Sequence, residues 1–246
     1  MQLSRFRLTS EQLQNIPINE RSLLMVLAHA SNEINTFNKL LFLSTNFSHG
    51  REWQTQAQIS QSLTLARTLA GKLSEAWTVT TVGYFGTKLS QKHTLDNSGN
   101  EAIKKLKNYF GRKNLINSVR NEFAFHYSLE RAGIDIHNDT PVEELSIYLH
   151  PSIGNSLYQF AEFLINKALM ESISPADLEA APDVFLTEIS SVVSWFNDFS
   201  QSAIFSILEK TIGIEEVQKT RHEIDIGEVP LSSDIKLPYF LEIKKH

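Results

Sequence analysis

The sequence contains no cysteine in 246 residues. That absence excludes a disulfide scaffold, thiolate zinc ligation and a cysteine nucleophile together. It also fits a reducing compartment, so a cytoplasmic location is expected. Glycine and proline are scarce, 10 and 7 respectively, which is few for a turn-rich β sandwich of this length. No long apolar run is present. The most apolar stretch, Val184 to Leu208, is broken by Glu188, Asn197, Asp198 and Gln201. Those groups are expensive in hydrocarbon, so the stretch reads as a buried helix and no membrane association is expected. The residues after Met1 lack an uninterrupted apolar segment, so no signal peptide is expected. Zincin and nucleophile-elbow motifs are missing, and Gly83 and Gly86 form no phosphate loop or dinucleotide fingerprint. Neither a metal nor a cofactor is therefore expected.

What is present is helical patterning. With 41% apolar residues the chain can bury a sizeable core. From Asn19 to about Phe47, Leu23, Leu27, Ala30, Ile34, Phe37 and Leu41 recur at three-and-four spacing, with His49 and Gly50 as a stop. Ile59, Leu63, Ala66, Leu69, Leu73 and Ala76 repeat the pattern from about Arg51 to Trp77. Two long helices joined by a short turn predict antiparallel neighbours. Residues 78–97 lose the rhythm and read as an irregular insertion. Ser98 with Glu101 offers a capping-box start for a third helix through Ile103, Leu106, Tyr109 and Phe110, with a kink at Gly111. A turn-rich break follows over 133–141, then a short strand or hairpin near 145–150. Helical pattern returns over 155–169, at a Pro175 start, and from about Asp183 to Lys210, with Gly213 as a stop. The predicted fold is an all-α antiparallel bundle over 1–213, with an extended tail over 214–246 docked on it.

Net charge is −5, against a surface that attracts nucleic acid everywhere. The cations are nevertheless concentrated. Between Ala102 and Asn121 lie Lys104, Lys105, Lys107, Arg112, Lys113 and Arg120, with no Asp or Glu. The run is either a solvated helix face or a phosphate-facing, RNA-binding patch.

Just past it comes the segment with chemical content, Arg120-Asn121-Glu122-Phe123-Ala124-Phe125-His126-Tyr127. A guanidinium can stabilise charge on phosphoryl oxygens, and an imidazole can move a proton near neutral pH. Such a pair suits a phosphodiester, and needs no metal when an RNA 2′-hydroxyl attacks. The stretch from Leu115 to Tyr127 resembles the motif helix of the HEPN superfamily (higher eukaryotes and prokaryotes nucleotide-binding domains). The resemblance implies a helical bundle and a metal-independent endoribonuclease of defence or toxin–antitoxin type. It implies Arg120 and His126 as catalytic residues, Asn121 assisting, and a homodimer that brings two copies together. It also implies an antitoxin or regulatory protein as partner. Glu122, four residues before His126, is placed to orient the imidazole, with Tyr127 as a further supporting residue. Six regular helical steps turn about 240°, so Arg120 and His126 share a face only across a dimer or through a distorted helix. The competing reading is a non-catalytic interaction or nucleotide-binding bundle with His126 at the edge of the core.

Other signals rank lower. His29, Glu33 and Thr36 form a polar stripe on the first helix, read as an ordinary helix surface rather than half a metal site. His222, Glu223 and Asp225 read as solvated charge. Trp53, Trp77 and Trp195 fall in helical patterns and read as core.

Overall fold

The computed structural model describes residues 1–46, 50–124 and 145–242. The fold is an all-α helical bundle, as the periodicity predicts, with a single two-stranded sheet among the described residues. Strand β1 (Gln2–Arg5) precedes α1 (Ser10–Asn15), α2 (Ile18–Thr45) and α3 (Glu52–Val79). A π-helical segment (Thr80–Gly86), α4 (Leu89–Lys92) and α5 (Asn97–Phe110) follow. Next are α6 (Leu115–Val119) and a second π-helical segment (Arg120–Ala124). The chain continues as α7 (Gln159–Ile173), α8 (Ala181–Thr211), α9 (Ile214–Lys219) and β2 (His222–Asp225). No helix of the described residues is long and apolar enough to cross a membrane.

The described residues group into two compact units, and the long helices contribute to both. One contains Met1–Thr36, Lys72–Asn114 and Ser191–Leu231. Four helical segments make its core, and the side-chain pairings set their directions. Lys72 of α3 binds Glu33 of α2, while Ser200 and Asn197 of α8 face Ser31 and Asn35 of α2. Gly99 and Tyr109 of α5 lie against Ser202 and Trp195 of α8. For α2 with α8 and for α5 with α8 the partner number falls as the other rises, so these helices run antiparallel. The interior holds Leu23, Leu27 and Ile34 from α2, Leu73 and Ala76 from α3, Ile103 and Leu106 from α5, and Val192, Phe196 and Phe199 from α8. Gly99 has a packing reason: a Cβ there would overlap the Ser202 side chain, whose Oγ accepts from the Asp96 backbone. The same unit carries the antiparallel β1–β2 pair, Gln2 opposite Asp225.

The other unit contains Phe37–Gly71, Leu115–Ser190 and Ser232–His246. Its described core includes Leu41, Leu63, Ala66, Leu69, Ile116, Val119, Leu169, Phe185 and Ile189.

Several local expectations change. Ile59 is 45% exposed, and Ala57 takes the buried place one turn into α3. The insertion at 78–97 is mostly helical: α3 passes into the π-helical segment, where i→i+5 bonding widens the turn. Thr78 and Thr80 donate their hydroxyls to the carbonyls of Ser74 and Ala76 four residues back, a pattern that bends helices. The cap of α5 is Asp96, accepting from Gly99 N at 2.7 Å, and not Ser98. Gly111 ends α5 rather than kinking it. Pro175 sits in a turn; Asp177 then accepts from Ala180 N and α8 starts at Ala181. The strand near 145–150 is one β-bridge, Tyr148 to Leu157. His222, Glu223 and Asp225 stand in β2, paired with β1, and remain exposed as solvated charge. The predicted stop at His49 and the turn-rich break over 133–141 lie outside the described residues.

Candidate functional site

Helix α6 buries Ile116 and Val119, then gives way at Arg120 to a π-helical turn of five residues. Such turns make up well under about 1% of residues in globular proteins and occur often at functional sites. No residue of Arg120–Ala124 is buried. Arg120 and Glu122 are half-buried, and Asn121 is exposed. The Arg120 Nη1 donates to Asn121 Oδ1 at 3.0 Å, so the side-chain amide fixes one edge of the guanidinium fork. The structure thus brings together the first two residues of the motif. His126 and Tyr127 lie outside the described residues.

The basic run divides. Lys104, Lys105 and Lys107 are exposed on α5, opposite the buried Ala102, Ile103, Leu106 and Tyr109, and Arg112 and Lys113 are exposed just beyond. These five cations belong to the first unit and Arg120 to the second. Lys107 Nζ lies 4.0 Å from the Phe85 ring centre, a cation–π contact that occupies part of its charge.

The polar stripe on α2 has a structural use. Glu33 Oε1 accepts from Lys72 at 2.7 Å, and His29 Nε2 stands 3.6 Å from the other oxygen. Hydrogen bonding to Lys72 lowers the Glu33 pKa, against the opposing effect of desolvation. Thr36 turns its hydroxyl back to the Asn32 carbonyl. Among the described residues no group of three or more His, Cys, Asp or Glu could hold a metal ion.

Two arrangements had no clear signal in the sequence. In the first unit His93 is only 4% exposed, and neither ring nitrogen has a hydrogen-bond partner among the described residues. Its Nε2 stands 4.0 Å from the buried Glu20 carboxylate. Burial lowers the His93 pKa. The nearby Ser206 backbone and Glu20 oppose the shift, while Lys210 and Lys92 reinforce it.

In the second unit the tail lies extended along a groove. Asn46 Nδ2 donates to the carbonyls of Ser232, Ser233 and Ile235. Gln58 and Gln61 donate to that of Leu237. Asn155 contacts both Leu241 backbone groups, and the Tyr239 hydroxyl donates to Ser156 O. Trp53 meets Phe240 edge-on at 5.2 Å and Tyr148 at 6.0 Å. A cavity of about 450 Å³ remains beside the tail, walled by Trp53, Tyr148, Leu149 and His150 with Phe240 and Leu241. The only hints in the sequence were the Tyr239-Phe240-Leu241 run and its prolines, which marked a docked tail without saying what receives it.

In comparisons with known proteins, the chain matches no family model, no curated protein and no solved structure.

Proposed function

We propose that this chain is a HEPN-like protein that cleaves RNA as a homodimer without a metal, in a cytoplasmic system of defence or toxin–antitoxin type with an antitoxin or regulatory partner. The observation that carries the reading is the Arg120–Asn121 pair. It stands on a π-helical turn, with the guanidinium half-exposed and one edge held by the neighbouring amide. The exposed cations of α5 supply attraction for a polyanion on an otherwise acidic protein.

In this reading the 2′-oxygen attacks the adjacent phosphorus, forming the O2′–P bond and breaking the P–O5′ bond. His126 takes the 2′-hydroxyl proton, and its counterpart in the second copy protonates the departing 5′-oxygen. Arg120 stabilises the charge on the equatorial oxygens, and Asn121 holds it in place. The products are a 2′,3′-cyclic phosphate and a 5′-hydroxyl. Arg120→Ala and His126→Ala are each expected to slow cleavage of single-stranded RNA by about 100-fold or more. Cleavage by the double variant at the rate of the unaltered protein would return the chain to the non-catalytic reading.

A further inference from the structure

The tail is held in the manner of a bound peptide. Its fixed contacts run mainly to main-chain atoms: the carbonyls of residues 232, 233, 235, 237 and 241, and the Leu241 N–H. All come from side-chain amides that do not read the identity of the residue they bind. Ile235, Leu237 and Tyr239 are half-buried, whereas Asp234, Lys236 and Pro238 are exposed. That alternation over 234–239, with Phe240 half-buried beside Tyr239 and set against Trp53, fits an extended peptide with one face on a receptor. The 3₁₀ turn at Ser232–Asp234 is the tail's only described regular element, so its release would break no helix or sheet ladder. The cavity walled by Trp53, Tyr148, Leu149 and His150 continues past Phe240, and Leu149 is 74% exposed.

We propose that this groove is a peptide-binding site and that residues 232–242 are its built-in, displaceable ligand. The partner it fits is an extended segment with apolar side chains at alternate positions followed by an aromatic pair, as Ile235, Leu237 and Tyr239–Phe240 provide in the tail. Tethering gives the tail an effective concentration on the order of millimolar, so the site stays closed to weaker competitors. A partner gains entry by binding more tightly or by acting after the tail is cut. The leash is accessible: residues 225–231 are exposed, and Gly227 turns there with φ of +73°. The inference does not rest on the RNA reading and stands if Arg120→Ala changes nothing.

The test uses the full chain with a protease site placed at Val229, cut after folding. A fluorescently labelled peptide of residues 232–242 is added, and its anisotropy is followed together with the emission of Trp53. The peptide is expected to replace the cut tail saturably and to bind uncut protein at least about 100-fold more weakly. Asn46→Ala, which removes three contacts to carbonyls, is expected to weaken peptide binding about tenfold or more. Replacing Asp234 in the peptide by alanine is expected to change little. A permuted peptide that breaks the Ile235–Leu237–Tyr239 alternation is expected not to bind. Failure of the labelled peptide to exchange into cut protein that retains its helical circular dichroism would overturn the proposal, and so would equal binding of the permuted peptide.

Discussion

The two π-helical segments make an instructive pair. Thr80–Gly86 is accounted for by packing. Tyr84 is 2% exposed, with its ring edge-on to Phe85 and Phe199, and Thr78 and Thr80 at the junction donate to α3 carbonyls. The cost of the widened turn is offset by burial of a large aromatic ring. Arg120–Ala124 differs among the described residues. It buries no residue and displays a cation, an amide and a carboxylate. The same backbone departure therefore serves the core in one unit, while in the other it displays polar groups.

The contrast breaks most directly by mutation. Tyr84→Ala is expected to lower the unfolding free energy by about 3–5 kcal/mol, as for other large buried aromatics. Asn121→Ala is expected to cost less than about 1 kcal/mol while impairing cleavage. Urea unfolding followed by circular dichroism measures both. A similar loss of stability at the two positions would mean that the second turn is as structural as the first.

A second prediction concerns His93, whose backbone carbonyl accepts from the Tyr84 hydroxyl at 3.4 Å. Burial holds the folded imidazole below its ordinary value near 6.5. Below that pH the unfolded chain takes up a proton that the folded chain refuses. Stability is therefore full above about pH 6.5, declines with acidification, and levels off once the folded value is passed. The slope from this one group is at most about 1.4 kcal/mol per pH unit. His93→Gln should flatten the profile between pH 5 and 7, and an unchanged slope would assign the acid sensitivity elsewhere.

The smallest expected effect is at the α5 cap. Asp96→Ala frees Gly99 N and should cost about 1 kcal/mol, read as a lowered thermal midpoint. Asp96→Asn should recover most of it, because the amide oxygen can accept the same bond.

Much of the fold was legible because amphipathic periodicity is a local property. Leu23, Leu27, Ile34, Leu63, Leu69, Leu73, Ile103 and Leu106 repeat at helical spacing, and all are buried. Misreadings arose where a distant partner decided the outcome. Ser98 looks like a cap, but the cap is Asp96, whose backbone N–H also meets Ser202. Of the candidate site, the sequence supplied the residue types and their order, while the hydrogen bond between Arg120 and Asn121 came from the structure.

By itself, then, the sequence determined a cysteine-free, all-α chain with long amphipathic helices and a basic run ahead of an Arg-Asn motif. Tertiary structure decided the widened turns at Thr80 and Arg120, the burial of His93 beside Glu20, and the amide-lined groove that holds the tail. The physical reason is range. Helical propensity and apolar spacing act within a turn or two. Asn46, Gln58, Gln61 and Asn155 become a receptor only when folding brings them to carbonyls 86 to 189 residues away in sequence.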